Sequence, residues 1–225
     1  MKARPPLPVL VLRVLVALAV EAALLAWGLG GLAALLASPR ALALIAIWGV
    51  TGLVLGLSRP TRAHDTVRAE RDPLPMLALA LLPLAIPAVA AWGGRLALWP
   101  LPAPGLLGWL GVALSVLGLG IRVAAMRQLG ARFSPFVALQ RGHALETTGW
   151  YGRVRHPGYL GALLASLGAA IAFGSALALP LVAAMIAFQW RRLRHEERLL
   201  AAHFGDAWRA YAARTGALLP RLGGR

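Results

Sequence analysis

The chain has 225 residues, 59% of them hydrophobic and 14% charged, with a formal net charge of +15 and no cysteine. A soluble domain of this size is nearer half apolar and a quarter charged, so the composition points to an integral membrane protein with a single domain. The missing cysteine excludes disulfides, thiolate metal sites and a catalytic thiol.

The basic residues lie between apolar segments and are not interleaved with aromatics on a soluble face. That arrangement suits anionic lipid headgroups and argues against nucleic acid as a partner. Every basic residue except Lys2 is arginine. With so much Ala, Leu and Gly, this is the pattern of a GC-rich, bacterial coding sequence.

A helix crosses a bilayer with about 20 apolar residues. In chain order, the candidate segments are 14–36, 41–57, 74–92, 105–126, 158–174 and 175–190. The last two are separated by nothing more polar than Gly174-Ser175, which predicts a tight helical hairpin. Pro83, Pro87 and Pro180 fall inside apolar runs and should kink those helices. Gly52 and Gly56 form a small-xxx-small pattern that permits close helix approach, or are ordinary glycines of a membrane helix. Leu193, Leu200, Phe204, Trp208 and Tyr211 recur at helical spacing. They predict one amphipathic helix over 185–213 that lies on the bilayer or roofs a pocket.

The expected fold is therefore an all-α polytopic membrane bundle of about six transmembrane helices, followed by that amphipathic cytoplasmic helix. Residues 1–126 supply variable membrane helices and residues 127–220 carry the chemistry. With these segments, all basic residues but Arg40 and Arg95 fall on one side. The positive-inside rule puts both termini and the motif-bearing loops in the cytoplasm, in a bacterial inner membrane. The N-terminal basic-then-apolar pattern has no convincing small-residue cleavage site and reads as a retained first helix.

Two motifs are set aside. Gly28-Leu-Gly30-Gly-Leu-Ala33 fits a relaxed dinucleotide fingerprint but lies in a membrane helix with no strand before it. His195 and His203, with Glu196 and Glu197 between them, lack the His-Glu-x-x-His spacing, so no metal is expected.

The run from Tyr151 to Gly161 differs in kind, since it sets two arginines, a histidine and two tyrosines against an apolar segment. Pro157 suits the first turn of a helix, where its absent N–H would have no partner. Arg155 and His156 then stand at the helix N-terminus, where an anionic group is favoured. An interface anchor with belt tyrosines is the plainer alternative. Glu196 follows Arg192 by one turn, as a simple ion pair of the helix face would, or as a second half of the same site. Glu21, an acid inside the first span, can pair with Arg13 or reach polar groups in the bundle.

In combination, Tyr151-x-x-x-Arg155-His156-Pro157-x-Tyr159-x-Gly161, then Glu196-Glu197, Phe204-Gly205, Tyr211 and Pro220, resembles the isoprenylcysteine carboxyl methyltransferase family. Related membrane phospholipid N-methyltransferases share much of the pattern. The resemblance covers about residues 127–220. It implies an S-adenosyl-L-methionine-dependent methyltransferase whose cofactor pocket is built from the C-terminal third. Matched by position, cofactor contacts fall at Gln140, His143, Ala144, Leu145, Tyr151, His156, Pro157, Gly158, Tyr159 and Glu196. Arg155 beside His156 suits the cofactor carboxylate, and Tyr151 or Tyr159 can face the sulfonium. Arg192 corresponds to the arginine that faces the acceptor. The loop before His143 is shorter than in the eukaryotic enzymes and the helices are fewer, which bears on acceptor identity more than on the cofactor.

A carboxylate acceptor is already ionised at neutral pH, so Arg192 need only bind and aim it. An amine acceptor needs a proton acceptor, and Glu197 is then the candidate. The implied partner is a lipophilic small molecule or prenylated substrate within membrane lipid. Alternatives are a phospholipid or small-molecule N- or S-methyltransferase, a sterol-reductase-like NADPH enzyme, and a small transporter or scaffold subunit without cofactor affinity.

Overall fold

The computed structural model describes residues 6–57, 66–70, 73–130, 137–140 and 144–221. The helices are α1 (Leu7–Leu29), α2 (Leu32–Leu36), α3 (Pro39–Leu57), α4 (Pro73–Arg95), α5 (Pro104–Leu129), α6 (Pro157–Ile171), α7 (Leu179–Phe204) and α8 (Asp206–Arg214). Two short strands, β1 (Thr66–Glu70) and β2 (Val137–Gln140), pair antiparallel. The expected all-α bundle thus holds, with this ribbon added in the polar connections, where pairing satisfies backbone groups that no helix takes up.

Four helices, α1, α3, α4 and α5, are long and apolar enough to cross a membrane, and α6 is a shorter apolar helix. Large apolar side chains such as Leu12, Leu15, Val50, Leu81 and Leu110 point outward. An outer surface of this kind belongs against lipid, and the chain is an integral membrane protein.

Several boundaries differ from those expected. The first span runs from Leu7 to Leu29 and stops at Gly30, whose φ of 97° ends the helix in the left-handed region. The apolar residues after it form the separate α2, so the segment 14–36 is two helices. Pro180 sits in the first turn of α7 and kinks nothing. Pro83 and Pro87, by contrast, do not end α4, as expected, and the helix runs through both. The long amphipathic helix is also two: α7 ends at Gly205, which takes a φ of 53°, and α8 follows directly. That turn lets α8 fold back on the bundle.

The tightest packing is between α5 and α6, and glycines cause it. Gly111 and Gly118 on α5 face Gly168 and Gly161 on α6, each pair seven residues apart along its helix. A Cβ at Gly118 would lie 2.5 Å from Gly161 O, and one at Gly161 would lie 2.7 Å from Arg122 N. Between the glycines, Ser115 Oγ donates to Ala165 O at 2.9 Å. Small residues let backbones close in this way where lipid offers no hydrophobic drive. Gly56 plays the same part for α1 and α3, since a Cβ there would strike the Leu10 side chain.

Gly118→Ala is therefore expected to destabilise the protein by about 1–3 kcal/mol through overpacking. Gly120→Ala is the control on the same helix, because nothing lies within 4 Å of its Cβ direction. Thermal unfolding in detergent should show the first substitution lowering the midpoint and the second not.

At the end of the bundle away from the α6 N-terminus, the two arginines that stood apart in the charge pattern close helix ends. Arg40 Nη1 donates to Pro104 O at 2.9 Å and Ala172 O at 2.7 Å. Arg95 Nε donates to Gly28 O at 3.1 Å. Ala172 and Gly28 lie at the C-terminal ends of α6 and α1, where carbonyls have no partner within the helix and arginine supplies one. Pro104 opens α5, so Arg40 ties that helix start to the end of α6.

Candidate active site

Three segments converge on the start of α6. The first is the loop from Ala144 to His156, which is fastened to the end of α5. Gln128 Nε2 donates to Thr148 O at 2.8 Å, and Gln128 Oε1 accepts from Trp150 N at 3.1 Å. Inside the loop, Glu146 accepts from Thr148 N at 3.2 Å and from its hydroxyl at 2.5 Å. Gly149 turns the chain with a φ of 51°. His156 is the N-cap residue and Pro157 opens the helix, as the sequence predicted.

The second segment is the tail. After α8 it runs parallel to residues 154–156, with Arg155 N donating to Gly216 O at 2.8 Å and His156 N to Ala217 O at 3.0 Å. Tyr211 Oη donates to Tyr151 O at 2.7 Å. The Arg155 guanidinium locks this return. Its Nε donates to Glu197 Oε1 at 2.7 Å, and its Nη1 donates to Ala212 O at 3.1 Å and to Thr215 O. The guanidinium also lies 6.0 Å from the centre of the Trp208 ring.

The third segment is the outer half of α7, where Glu196 and Glu197 point different ways. Glu196 Oε2 accepts from Tyr159 Oη at 3.0 Å. Glu197 Oε1 instead bridges Arg155 and His156 Nε2, the latter at 3.2 Å. Burial would raise the Glu197 pKa, but hydrogen bonds from His156 and Arg155 outweigh it and hold the carboxyl below the usual carboxylate range. Burial, with the nearby Glu196 carboxylate second, pushes the Tyr151 phenol up and keeps it a neutral donor.

These segments wall a cavity of about 530 Å³. Its polar end carries Glu146, Tyr151, Arg155, His156, Tyr159, Arg192 and Glu196. Its other end is lined by Trp48 of α3, Met76 and Leu79 of α4, Leu119 of α5, Ala162 of α6 and Met185 of α7. Along α7, Arg192 lies between Met185 and Glu196, its guanidinium 5.9 Å from the centre of the Tyr159 ring. Arg122, which also lines the cavity, donates from Nη1 to Gly158 O at 3.0 Å.

Of the residues predicted from sequence, Leu145, Tyr151, Arg155, His156, Gly158, Tyr159, Arg192 and Glu196 meet at this cavity. Ala144 is exposed and Pro157 is buried in the helix start; neither is on the wall. His143 lies outside the described residues, and of Gln140 only the strand backbone is described. Two roles need correction. Arg155 was expected to take an anionic group, but its guanidinium already serves Glu197 and the tail carbonyls. Glu197 was the candidate base, but it stands behind the wall, and a lowered pKa makes a weak base.

Glu146, Arg122, Ser166 and Gln189 also line the cavity and were not singled out from the sequence. Glu146 and Arg122 gave no spacing signal. Gln189 gave one, a carboxamide seven residues before Glu196 on the same stripe of α7.

With this geometry in place, known proteins supply a comparison. Residues 110–202 match the family model described as isoprenylcysteine carboxyl methyltransferase (ICMT). The match covers less than half of the chain, and through this region the chain is similar to that family. The matched region contains most of α5, all of α6, the loop between them and α7 through Glu196, which form most of the cavity's polar end.

A protein-S-isoprenylcysteine O-methyltransferase of Schizosaccharomyces pombe is 35% identical over 109 residues, 47% of this chain and 46% of that protein. One from Tribolium castaneum is 31% identical over 130 residues, 54% of this chain and 46% of that protein. The chain thus aligns with about half the length of these curated relatives. A solved structure of the eukaryotic intramembrane Ras methyltransferase ICMT superposes with a TM-score of 0.50. It covers 82% of this chain and 78% of that chain at 21% identity. That likeness is one of fold, and it extends beyond the ICMT region into the N-terminal helices.

Proposed function

We propose that this protein is an S-adenosyl-L-methionine-dependent methyltransferase acting on a lipophilic acceptor, most like the isoprenylcysteine carboxyl O-methyltransferases. One observation carries the reading. A single cavity is lined both by ionisable groups and tyrosines and by apolar side chains of the membrane helices, and along its α7 wall Arg192 lies between Met185 and Glu196.

The residues fit the cofactor. Glu196 on the wall suits an ammonium group or ribose hydroxyls, and the Tyr151 and Tyr159 rings suit a sulfonium cation, a contact worth about 0.5–2 kcal/mol. The cavity volume falls within the roughly 300–1,000 Å³ of small-molecule sites. When bound, the cofactor supplies an electrophilic methyl group on a positively charged sulfur.

The protein's own groups then hold and exclude. Arg192 binds the acceptor carboxylate, which is ionised at neutral pH and needs no base. Tyr159, held by Glu196, fixes the wall opposite that guanidinium. The apolar end keeps the acceptor's greasy body in line and water out. Alignment in a dry pocket can supply most of the rate, about 7–11 kcal/mol in favourable cases. We further infer a bacterial inner membrane location with the cavity's polar end facing the cytoplasm, because the basic residues gather on that side. The acceptor is then a free lipophilic acid or a prenylated cysteine.

Membranes containing the protein, supplied with methyl-labelled cofactor and an S-farnesylcysteine analogue, should yield a base-labile methyl ester. Label appearing only in a lipid amine or a small thiol would move the acceptor assignment.

A further inference from the structure

Gln189 is 3% exposed, and its Oε1 has no hydrogen-bond partner among the described residues. It lines the cavity. It lies on the α7 stripe that carries Glu196, Arg192 and Met185, three residues from Arg192 toward the membrane end. At a rise of about 1.5 Å per residue, that places it roughly 4.5 Å deeper than Arg192. A carboxamide oxygen left unpaired at such a depth costs about 1–3 kcal/mol, and a pocket meant only for a hydrocarbon chain has no use for it. Met185 or a leucine would serve that purpose without the penalty.

We propose that Gln189 selects the acceptor, accepting a hydrogen bond from an N–H or O–H that lies a few ångströms along the chain from the carboxylate held by Arg192. The preferred substrate is then a lipophilic acid with a donor close to its carboxylate, such as an N-acylated amino acid, and not a plain fatty or isoprenoid acid. This rests on the methyltransferase reading above. It adds a specificity determinant to the apolar end of the same cavity.

A matched pair of acids tests it: N-palmitoylglycine, and the ester in which oxygen replaces its N–H. The two share length, charge and shape, and differ in one donor. The protein should methylate the amide with a kcat/KM about tenfold above that of the ester, the effect of leaving one buried polar group unpaired. In Gln189→Leu the ratio should fall to about one, through loss on the amide. Damage to folding would lower both acids together and leave the ratio unchanged. Gln189→Asn measures reach and should keep part of the preference.

An amide-to-ester ratio near one in the unaltered protein, or a ratio that survives Gln189→Leu, overturns the assignment while leaving the methyltransferase reading intact. No transfer to either acid, with transfer to the S-farnesylcysteine analogue, likewise overturns the assignment alone; no transfer to any of the three overturns both.

Discussion

Glu196→Gln is expected to lower kcat/KM for methyl transfer by roughly 10- to 150-fold. A hydrogen bond to a charged group is worth about 1.5–3 kcal/mol, and about 1.4 kcal/mol is tenfold. Glu196 lines the cavity and also accepts the Tyr159 hydroxyl at 3.0 Å, so two losses must be separated. Tyr159→Phe removes the tyrosine bond alone, so its effect measures the part of the loss that comes from holding the ring. The excess in Glu196→Gln belongs to the cofactor and should appear chiefly as a raised KM for S-adenosyl-L-methionine. Equal effects from the two substitutions would mean that Glu196 acts only by holding the ring.

Arg155→Ala should be the most destabilising change at this end of the molecule. The guanidinium joins three segments: the α6 entry, Glu197 on α7, and the carbonyls of Ala212 and Thr215. Its side chain is 11% exposed and that of Glu197 25%. Breaking a buried pair by removing one partner costs about 3–5 kcal/mol, and this exposure argues for the lower end. For a chain of this size about 1 kcal/mol corresponds to roughly 2–4 °C, so the unfolding midpoint in detergent should fall by about 6–12 °C. Arg155→Lys should recover only part, because an ammonium cannot copy the fork that serves carboxylate and carbonyls together.

The same clamp gives a pH signature. The Glu197 carboxyl is held below its ordinary value in the folded state. Its contribution is therefore complete above the ordinary carboxylate range and disappears as pH falls through the lowered folded value. Thermal stability of the unaltered protein should decline on acidification below about pH 4 more steeply than that of Glu197→Gln. Parallel declines would remove Glu197 from the clamp.

Much of the site could be read from the sequence because its parts are local. Residues 151–161 form a continuous stretch whose proline fixes a helix start, and Arg192 to Glu196 is one helical turn. Seven residues from Gln189 to Glu196 is two turns, legible in principle but hidden because one amide in an apolar run looks incidental. Roles that depend on chain return were not legible. Arg155 reads as an anion ligand until Gly205 turns α8 and lays residues 215–217 beside it. That turn converts Arg155 and Glu197 from site groups into a clamp. Likewise, the spacing of Gly111 and Gly118 on α5 gains meaning only against Gly168 and Gly161 on α6. Helix ends escape the hydropathy pattern for a related reason. Hydropathy continues from 14 to 36, while the chain turns at Gly30 and Gly31, whose positive φ a periodicity does not reveal.

The proposed function requires the cavity's polar end to be a cofactor pocket for methyl donation. Titration of purified protein with S-adenosylhomocysteine, beside NADPH and beside the Glu196→Gln variant, tests it most directly. Saturable binding of S-adenosylhomocysteine, weakened in the variant, and no binding of NADPH are expected. Binding of NADPH with no affinity for S-adenosylhomocysteine would contradict the proposed function.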